Sequence, residues 1–208
     1  MNLKEKLLIV GSRSTAIEIL EITALQYNVV FVIGDDEEMD SKYEKIKDSD
    51  LKKYVLHNKC KYIISIGELK LRLKFTKIFK ELNVEAVNVI HPLSCISPSS
   101  SIGKGNYIAA FAVLSANSNI GNNCMVNYNV TIGHDVTLKD NVVVNPGSRI
   151  SGFVQIGENV LVGANSFVFE DLIIGDDCLI DAMTYVERDL KKNTICSSKQ
   201  TKYFKRVQ

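Results

Sequence analysis

His134 is one of three histidines in the chain and is followed at once by Asp135. An imidazole that titrates near neutrality takes a proton from an amine or hydroxyl as it attacks an acyl carbon. A carboxylate on the other ring nitrogen fixes the tautomer and stabilises the imidazolium. Ala116 lies eighteen residues before His134, and Gly152 eighteen after it. In a repeat of that length they sit below and above the ring and leave a notch around it. Gly152 also lets a backbone N–H approach a developing oxyanion closely. His134 and Asp135 therefore read as a general base with its orienting carboxylate, or as an exposed turn. His57, in a polar helix end, reads as solvated, and His91, before Pro92, as a turn-packing residue.

A second set of groups is punctuated by glycine. Gly11-Ser12-Arg13-Ser14-Thr15 opens a helix after an apolar run. Helix N-termini bind anions, and a guanidinium such as that of Arg13 pairs a phosphate directly. Asp35 and Asp36 follow a second apolar run, and Gly67 ends a third. Paired carboxylates accept N–H and O–H bonds but repel phosphate, so they suit a base or a ribose. Only Gly11 remains of a GxGxxG pattern, and Glu37-Glu38 extend the acidic run. An ordinary strand–helix turn and a solvated acidic turn are the competing readings.

These groups need elements to hold them. Leu7–Val10, Val29–Ile33, Tyr62–Ile66 and Ala86–Ile90 read as strands. Ala16–Leu25, roughly Tyr43–His57, and Leu69–Leu82 read as helices between them, the first opened by a Thr15/Glu18 capping box. Leu69, Leu73, Phe75, Ile78, Phe79 and Leu82 form the expected inner face of the last helix. Strands alternating with helices predict a small parallel sheet with its ligand at the carboxyl ends of the strands. Gly11-Ser12-Arg13, Gly34-Asp35-Asp36 and Gly67 all fall there.

The period then changes. From Ile96 to Val186 an aliphatic residue recurs every six positions, sixteen times without insertion. Four positions after each, thirteen of the sixteen residues are Ser, Thr, Ala, Val or Cys, which suits a tight inward corner. Three hexads make one triangular coil of short parallel strands, and stacked coils share a core that no single coil can bury. The expectation is an N-terminal α/β domain over 1–92 and a hexapeptide β-helix of about five coils with a C-terminal cap over 93–208. Cys124 and Cys178 take small inward positions as packing residues.

Composition excludes several classes. The 208 residues carry 25 Lys plus Arg against 24 Asp plus Glu, a net +1 that gives no basic field for nucleic acid or an anionic membrane. No apolar run approaches a membrane span. Met1–Lys6 lacks a secretory pattern. The five cysteines are scattered without a CxxC, which suggests neither zinc nor disulfides and fits a reducing cytoplasm. A zinc enzyme on these coils would need about three histidine ligands where only His134 stands.

The unbroken hexads resemble the left-handed β-helix acyltransferases. The full pattern is similar to the NeuD/PglD-like sugar O- and N-acetyltransferases over about residues 6–190. The residues that carry the resemblance are Leu8-Ile9-Val10-Gly11, Gly34-Asp35-Asp36, Ile64-Ser65-Ile66-Gly67, Asn88-Val89-Ile90-His91-Pro92, Ile96-Ser97-Pro98, Gly133-His134-Asp135 and Asn145-Pro146-Gly147. The resemblance implies a Rossmann-like N-terminal domain, a left-handed parallel β-helix, acetyl-CoA as co-substrate and a homotrimer with active sites between adjacent β-helices. It implies that His134 is the base, that Asp135 assists it, and that the acetyl group lies near Gly152. It further implies that Asn127 contacts substrate, that Asp35 and Asp36 meet the nucleotide base, and that backbone near Ala164 and Ala182, further up the His134 column, lines the pantetheine arm.

Departures are visible. Relatives carry a glycine-rich loop, often with histidine in place of Thr15, and many have a second histidine where Val143 stands. The Gly-x-Pro-Ala ending is replaced by Ser197-Ser198-Lys199-Gln200. The basic tail from Lys191 to Gln208 reads as a solvated cap, or as a contact for the 3′-phosphate of CoA. The expected activity is N-acetylation of a nucleotide-linked amino sugar for bacterial surface glycans. The alternatives are O-acetylation of a sialic-acid-type sugar and a catalytically silent scaffold. Neither a metal nor a redox cofactor is expected.

Overall fold

The computed structural model describes residues 4–198. Strand β1 (Lys6–Val10) is buried along Leu7–Val10, and helix α1 (Ser14–Thr23), β2 (Asn28–Ile33) and β3 (Lys45–Lys47) follow. Then come α2 (Leu51–His57), β4 (Cys60–Ile64), α3 (Leu69–Glu81) and β5 (Glu85–Ala86). The five strands pair in parallel in the order β3-β2-β1-β4-β5, with the switch point between β1 and β4. This is the Rossmann order, with α1 and α3 covering opposite faces through separate apolar clusters.

Four expectations change. Thr15 and Glu18 form no capping box: Arg13 takes the N-cap position without a side-chain hydrogen bond, and Glu18 reaches the β-helix instead. The charged helix from Tyr43 begins only at Leu51, because Lys45–Lys47 pairs with β2 as an edge strand. The inner face of α3 is Arg72, Phe75 and Phe79, whereas Leu73 is 41% exposed, about a third of a turn off that line. The run Ala86–Ile90 is not one strand. It breaks at Val87-Asn88, and Val89–Ile90 joins the next domain's sheet by pairing with Tyr107–Ile108.

From Val89 the chain winds as a left-handed parallel β-helix of two-residue strands. The first face stacks six strands from Cys95–Ile96 to Tyr185–Val186. The second stacks five from Ser101–Ile102 to Ile173–Ile174, and the third seven from Val89–Ile90 to Ile195–Cys196. Partners differ by eighteen residues, as in Leu114↔Ile132↔Ile150. The aliphatic column from Ile108 to Val186 is 0–3% exposed, with Cys124 and Cys178 among it. Each such side chain contributes roughly 1.5–3 kcal/mol by burial. The register shortens only after Val186, where Leu190 bridges Ile174.

The corners follow a rule of their own. Every sixth residue from Gly105 to Met183 has a left-handed backbone, with φ between 52° and 76°. Asn, Asp and Gly fill most of these positions because they adopt that conformation at least cost.

The two domains share a core. Val89, Tyr107, Ala109, Met125 and Val143 pack with Leu7, Ile9, Ala16 and Ile19. Arg72 is wholly buried between the domains without an acidic partner. Its Nε donates to Asn141 Oδ1 at 3.0 Å, Nη1 donates to Ile64 O and Ile66 O, and Nη2 donates to Asn123 O. Burial lowers its pKa to about 10, so it stays charged at neutral pH. No helix among the described residues is long and apolar enough to cross a membrane. In the tail, Lys192 pairs with Asp177 at 3.3 Å, and the portion from Lys199 lies outside the described residues.

Candidate active site

His134 stands at the corner between the first and second faces, after strand Thr131–Ile132 and before Thr137–Leu138. Its side chain is 54% exposed. The pair formed with Asp135 spans 2.9 Å from Nδ1 to Oδ2. One coil below, Asn117 Nδ2 donates to Asp135 Oδ1 at 3.1 Å. The hydrogen bond from His134, then that from Asn117, hold the Asp135 carboxyl below its ordinary range. An ionised carboxylate only accepts, so Nδ1 carries a proton, and in the neutral ring the lone pair falls on Nε2. Asn117 escaped the sequence reading, although it lies one eighteen-residue repeat before Asp135.

Gly152 lies one coil above. A Cβ there would stand 2.7 Å from His134 Cε1 and 2.8 Å from Nε2, so the ring occupies the space a side chain would need. Below, Asp135 N–H donates to Ala116 O at 2.9 Å. Phe153 N–H donates to His134 O at 3.0 Å, and its ring stands edge-on to the imidazole at 4.9 Å and 86°.

Other expected residues lie elsewhere. Ala164 and Ala182 stack at the corner between the third and first faces, so the expectation that they continue the His134 column is corrected. Their distance from His134 is five and eight hexads, and only multiples of three return to one corner. Asn127 is nearly buried, and its Nδ2 donates to Val144 O at 3.0 Å. Val143 is fully buried in the inter-domain core, so its side chain faces the N-terminal domain's cluster rather than open surface.

At the carboxyl ends of β1, β2 and β4 lies a cavity of about 570 Å³. Gly11, Ser12, Arg13 and Gly67 line it, as the sequence suggested. Gly11 is required: its φ is 124°, and a Cβ would meet Ser65 Oγ at 2.5 Å. No side chain caps the N-terminus of α1, which leaves first-turn N–H groups facing this space. Asp35 and Asp36 are not in the lining, and Glu37 takes their place. Asp35 turns outward to accept from Ser49 Oγ at 2.8 Å and Ser49 N–H at 3.2 Å. A turn closed by Glu37 N–H on Gly34 O curls Glu37 back over the strand end. Its Oε2 accepts from Ser12 Oγ at 2.7 Å, and that bond above all holds its carboxyl below the ordinary range.

A second cavity of similar volume opens where α1 meets the β-helix, beside Glu18, Glu21, His91, Tyr107 and Phe111. Tyr107 Oη donates to Glu18 Oε2 at 2.9 Å, and burial raises the phenol's pKa. Neither cavity is lined by His134. Among the described residues, no cluster of three or more His, Cys, Asp or Glu is placed to hold a metal.

The bacterial transferase hexapeptide (six repeats) model matches residues 117–152, and the hexapeptide repeat of succinyl-transferase matches 153–188. No curated protein matches the sequence. Among solved structures, the chain is similar to a histidine-to-asparagine mutant of perosamine N-acetyltransferase from Caulobacter crescentus, in complex with CoA and GDP-perosamine. The identity is 25%, the TM-score 0.86, and 93% of each chain is covered. The acetyltransferase domain of PglB from Neisseria gonorrhoeae, in complex with acetyl coenzyme A, shares the fold at 24% identity and TM-score 0.84, over 94% of this chain and 97% of that one. WeeI from Acinetobacter baumannii AYE does so at 17% identity and TM-score 0.84, over 92% and 96%. The repeats matched over residues 117–188, and an alignment that spans 93% of the chain, make it similar to hexapeptide-repeat sugar acetyltransferases, in line with the resemblance seen in the sequence.

Proposed function

We propose that the enzyme transfers an acetyl group from acetyl-CoA to the amine of a nucleotide-linked 4-amino sugar, in the cytoplasm, for bacterial surface glycans. The observation that carries this reading is the imidazole whose Nδ1 is committed to Asp135 while Nε2 stays open over Gly152. His134 Nε2 takes the proton as the amine nitrogen attacks the thioester carbon. Asp135 stabilises the imidazolium so formed. The imidazolium returns the proton to the sulfur as the C–S bond breaks. Among the described residues Gly152 N–H makes no hydrogen bond, which leaves it available to the developing oxyanion. The direct route needs no acyl-enzyme. At their own corner, the small residues Ala164 and Ala182 offer backbone groups to a pantetheine arm that reaches His134 of an adjacent subunit in this reading.

The switch-point cavity suits the nucleotide. The N-terminus of α1 and Arg13 face a diphosphate, and Glu37 accepts from a base or ribose. The likeness to a perosamine N-acetyltransferase bound to GDP-perosamine supports this acceptor class. A homotrimer completes the site in this reading, because His134 lies on an open corner outside both cavities. The first face beside it presents exposed Val113, Phe169 and Tyr185 to a second β-helix.

One observation favours O-acetylation of a free sialic-acid-type sugar. Glu37 sits beside Ser12 at the start of α1, where its charge opposes a diphosphate. The deciding experiment is product mass spectrometry with acetyl-CoA and a panel of UDP-, GDP- and dTDP-linked 4-amino sugars beside free sialic acid. Acetylation of one nucleotide amino sugar supports the proposal, and acetylation of sialic acid alone replaces it with the second reading.

A further inference from the structure

Every sixth residue between Gly105 and Met183 must adopt a left-handed backbone, and eleven of these fourteen positions are Asn, Asp or Gly. The exceptions are Phe111, Phe153 and Met183. Phe153 is the one that touches the imidazole. Its φ is 61°, a conformation that disfavours a bulky side chain, and it is 52% exposed, so burial returns little. A residue that breaks a local rule without a packing gain marks a site where something other than folding is served.

The column at that corner runs Asn117, Asp135, Phe153, Asp171. At the neighbouring corner the equivalent column is unbroken. There Asn141 Nδ2 donates to Asn159 Oδ1 at 3.0 Å, and Asn159 Nδ2 donates to Asp177 Oδ1 at 3.1 Å. In these columns the lower residue donates upward, but the Asp135 carboxylate has no proton to give, so an asparagine at 153, directly above it, would meet it by turning its own amide N–H down to the carboxylate. That amide would compete with His134 Nδ1 for Oδ2, since Asn117 already holds Oδ1.

We propose that Phe153 is a positioning residue for His134. It ends the Asn/Asp column above Asp135, so the free carboxylate oxygen is kept for the imidazole, and its ring edge braces the ring plane. The inference rests on reading His134 as the base.

The test compares Phe153→Asn and Phe153→Tyr with the wild type in the full chain. Phe153→Asn should melt at or above the wild-type temperature, because it relieves the backbone and adds a rung. Its kcat should fall about tenfold, as expected for a mis-set ring, with KM for both substrates within about twofold. The ¹⁵N shifts of the His134 ring should move away from the Nδ1–H tautomer. Phe153→Tyr should keep wild-type kcat and shifts. An Asn variant with unchanged kcat and ring shifts would overturn the proposal, as would one that melts lower or loses only KM. Should His134→Ala retain full activity, the base reading falls alone, because the ring shifts still report whether Phe153 sets the tautomer.

Discussion

Gly152 and His134 occupy consecutive coils of one corner, and the imidazole fills the space a side chain at Gly152 would take. A Cβ at Gly152 would lie 2.7 Å from the ring's Cε1. The side chain that must yield is half-exposed and has solvent to move into once its contacts with Asp135 and Phe153 are given up, so the coil itself is not forced apart. Gly152→Ala should therefore leave the melting temperature close to wild type and cut kcat about a hundredfold, the cost of displacing a reacting group by about 1 Å. Circular dichroism with steady-state kinetics checks both halves.

The Asp135 carboxyl is held below its ordinary range by His134 and Asn117. A depressed carboxyl stabilises the folded state above the unfolded pKa of about 3.9, and that contribution is lost as pH falls through the depressed value. Asp135 should thus contribute no titration limb to activity above about pH 5. Asn117→Ala removes one of the two hydrogen bonds and should move the Asp135 carboxyl titration upward, as read by ¹³C NMR of the side chain. Asp135→Asn should lower kcat by about a hundredfold or more, because the wrong tautomer becomes available.

Arg72 ties the end of β4 to Asn123 and Asn141 of the β-helix. Arg72→Met strips these buried acceptors of their donor and should cost about 3 kcal/mol or more. Arg72→Lys should not restore it, since one ammonium cannot fork to acceptors on both domains. Thermal and urea unfolding measure the loss.

The thiols should divide by burial. Cys95 is exposed, whereas burial pushes the Cys124 thiol up to about 11. At neutral pH a maleimide should modify Cys95 rapidly and reach Cys124 only after unfolding, as peptide mass mapping would show.

The β-helix was legible because one physical demand repeats every six residues, an aliphatic side chain inside each strand. The Rossmann-like half was legible from alternating strand and helix patterns. Lys45–Lys47 was not, because an edge strand needs no apolar face and its lysines resembled a helix surface. Arg72 was hidden for a similar reason: a charged residue on a helix reads as solvated unless its carbonyl partners are known. His134, Asp135 and Gly152 emerged from the eighteen-residue period. The same arithmetic, applied through to the end, shows Ala164 and Ala182 at a different corner. Glu37 displaced Asp35 and Asp36 because a turn's direction is set by its hydrogen bonds, which composition does not reveal.

Everything proposed for the site turns on His134 as the base in acetyl transfer to an amino sugar. The most direct measurement is single-turnover product formation with acetyl-CoA and the accepted nucleotide amino sugar, wild type against His134→Ala, read by mass spectrometry because protein thiols would confuse a thiol dye. A fall of about a hundredfold or more is expected in the mutant, with both substrates still bound. Equal rates in the two proteins would contradict it.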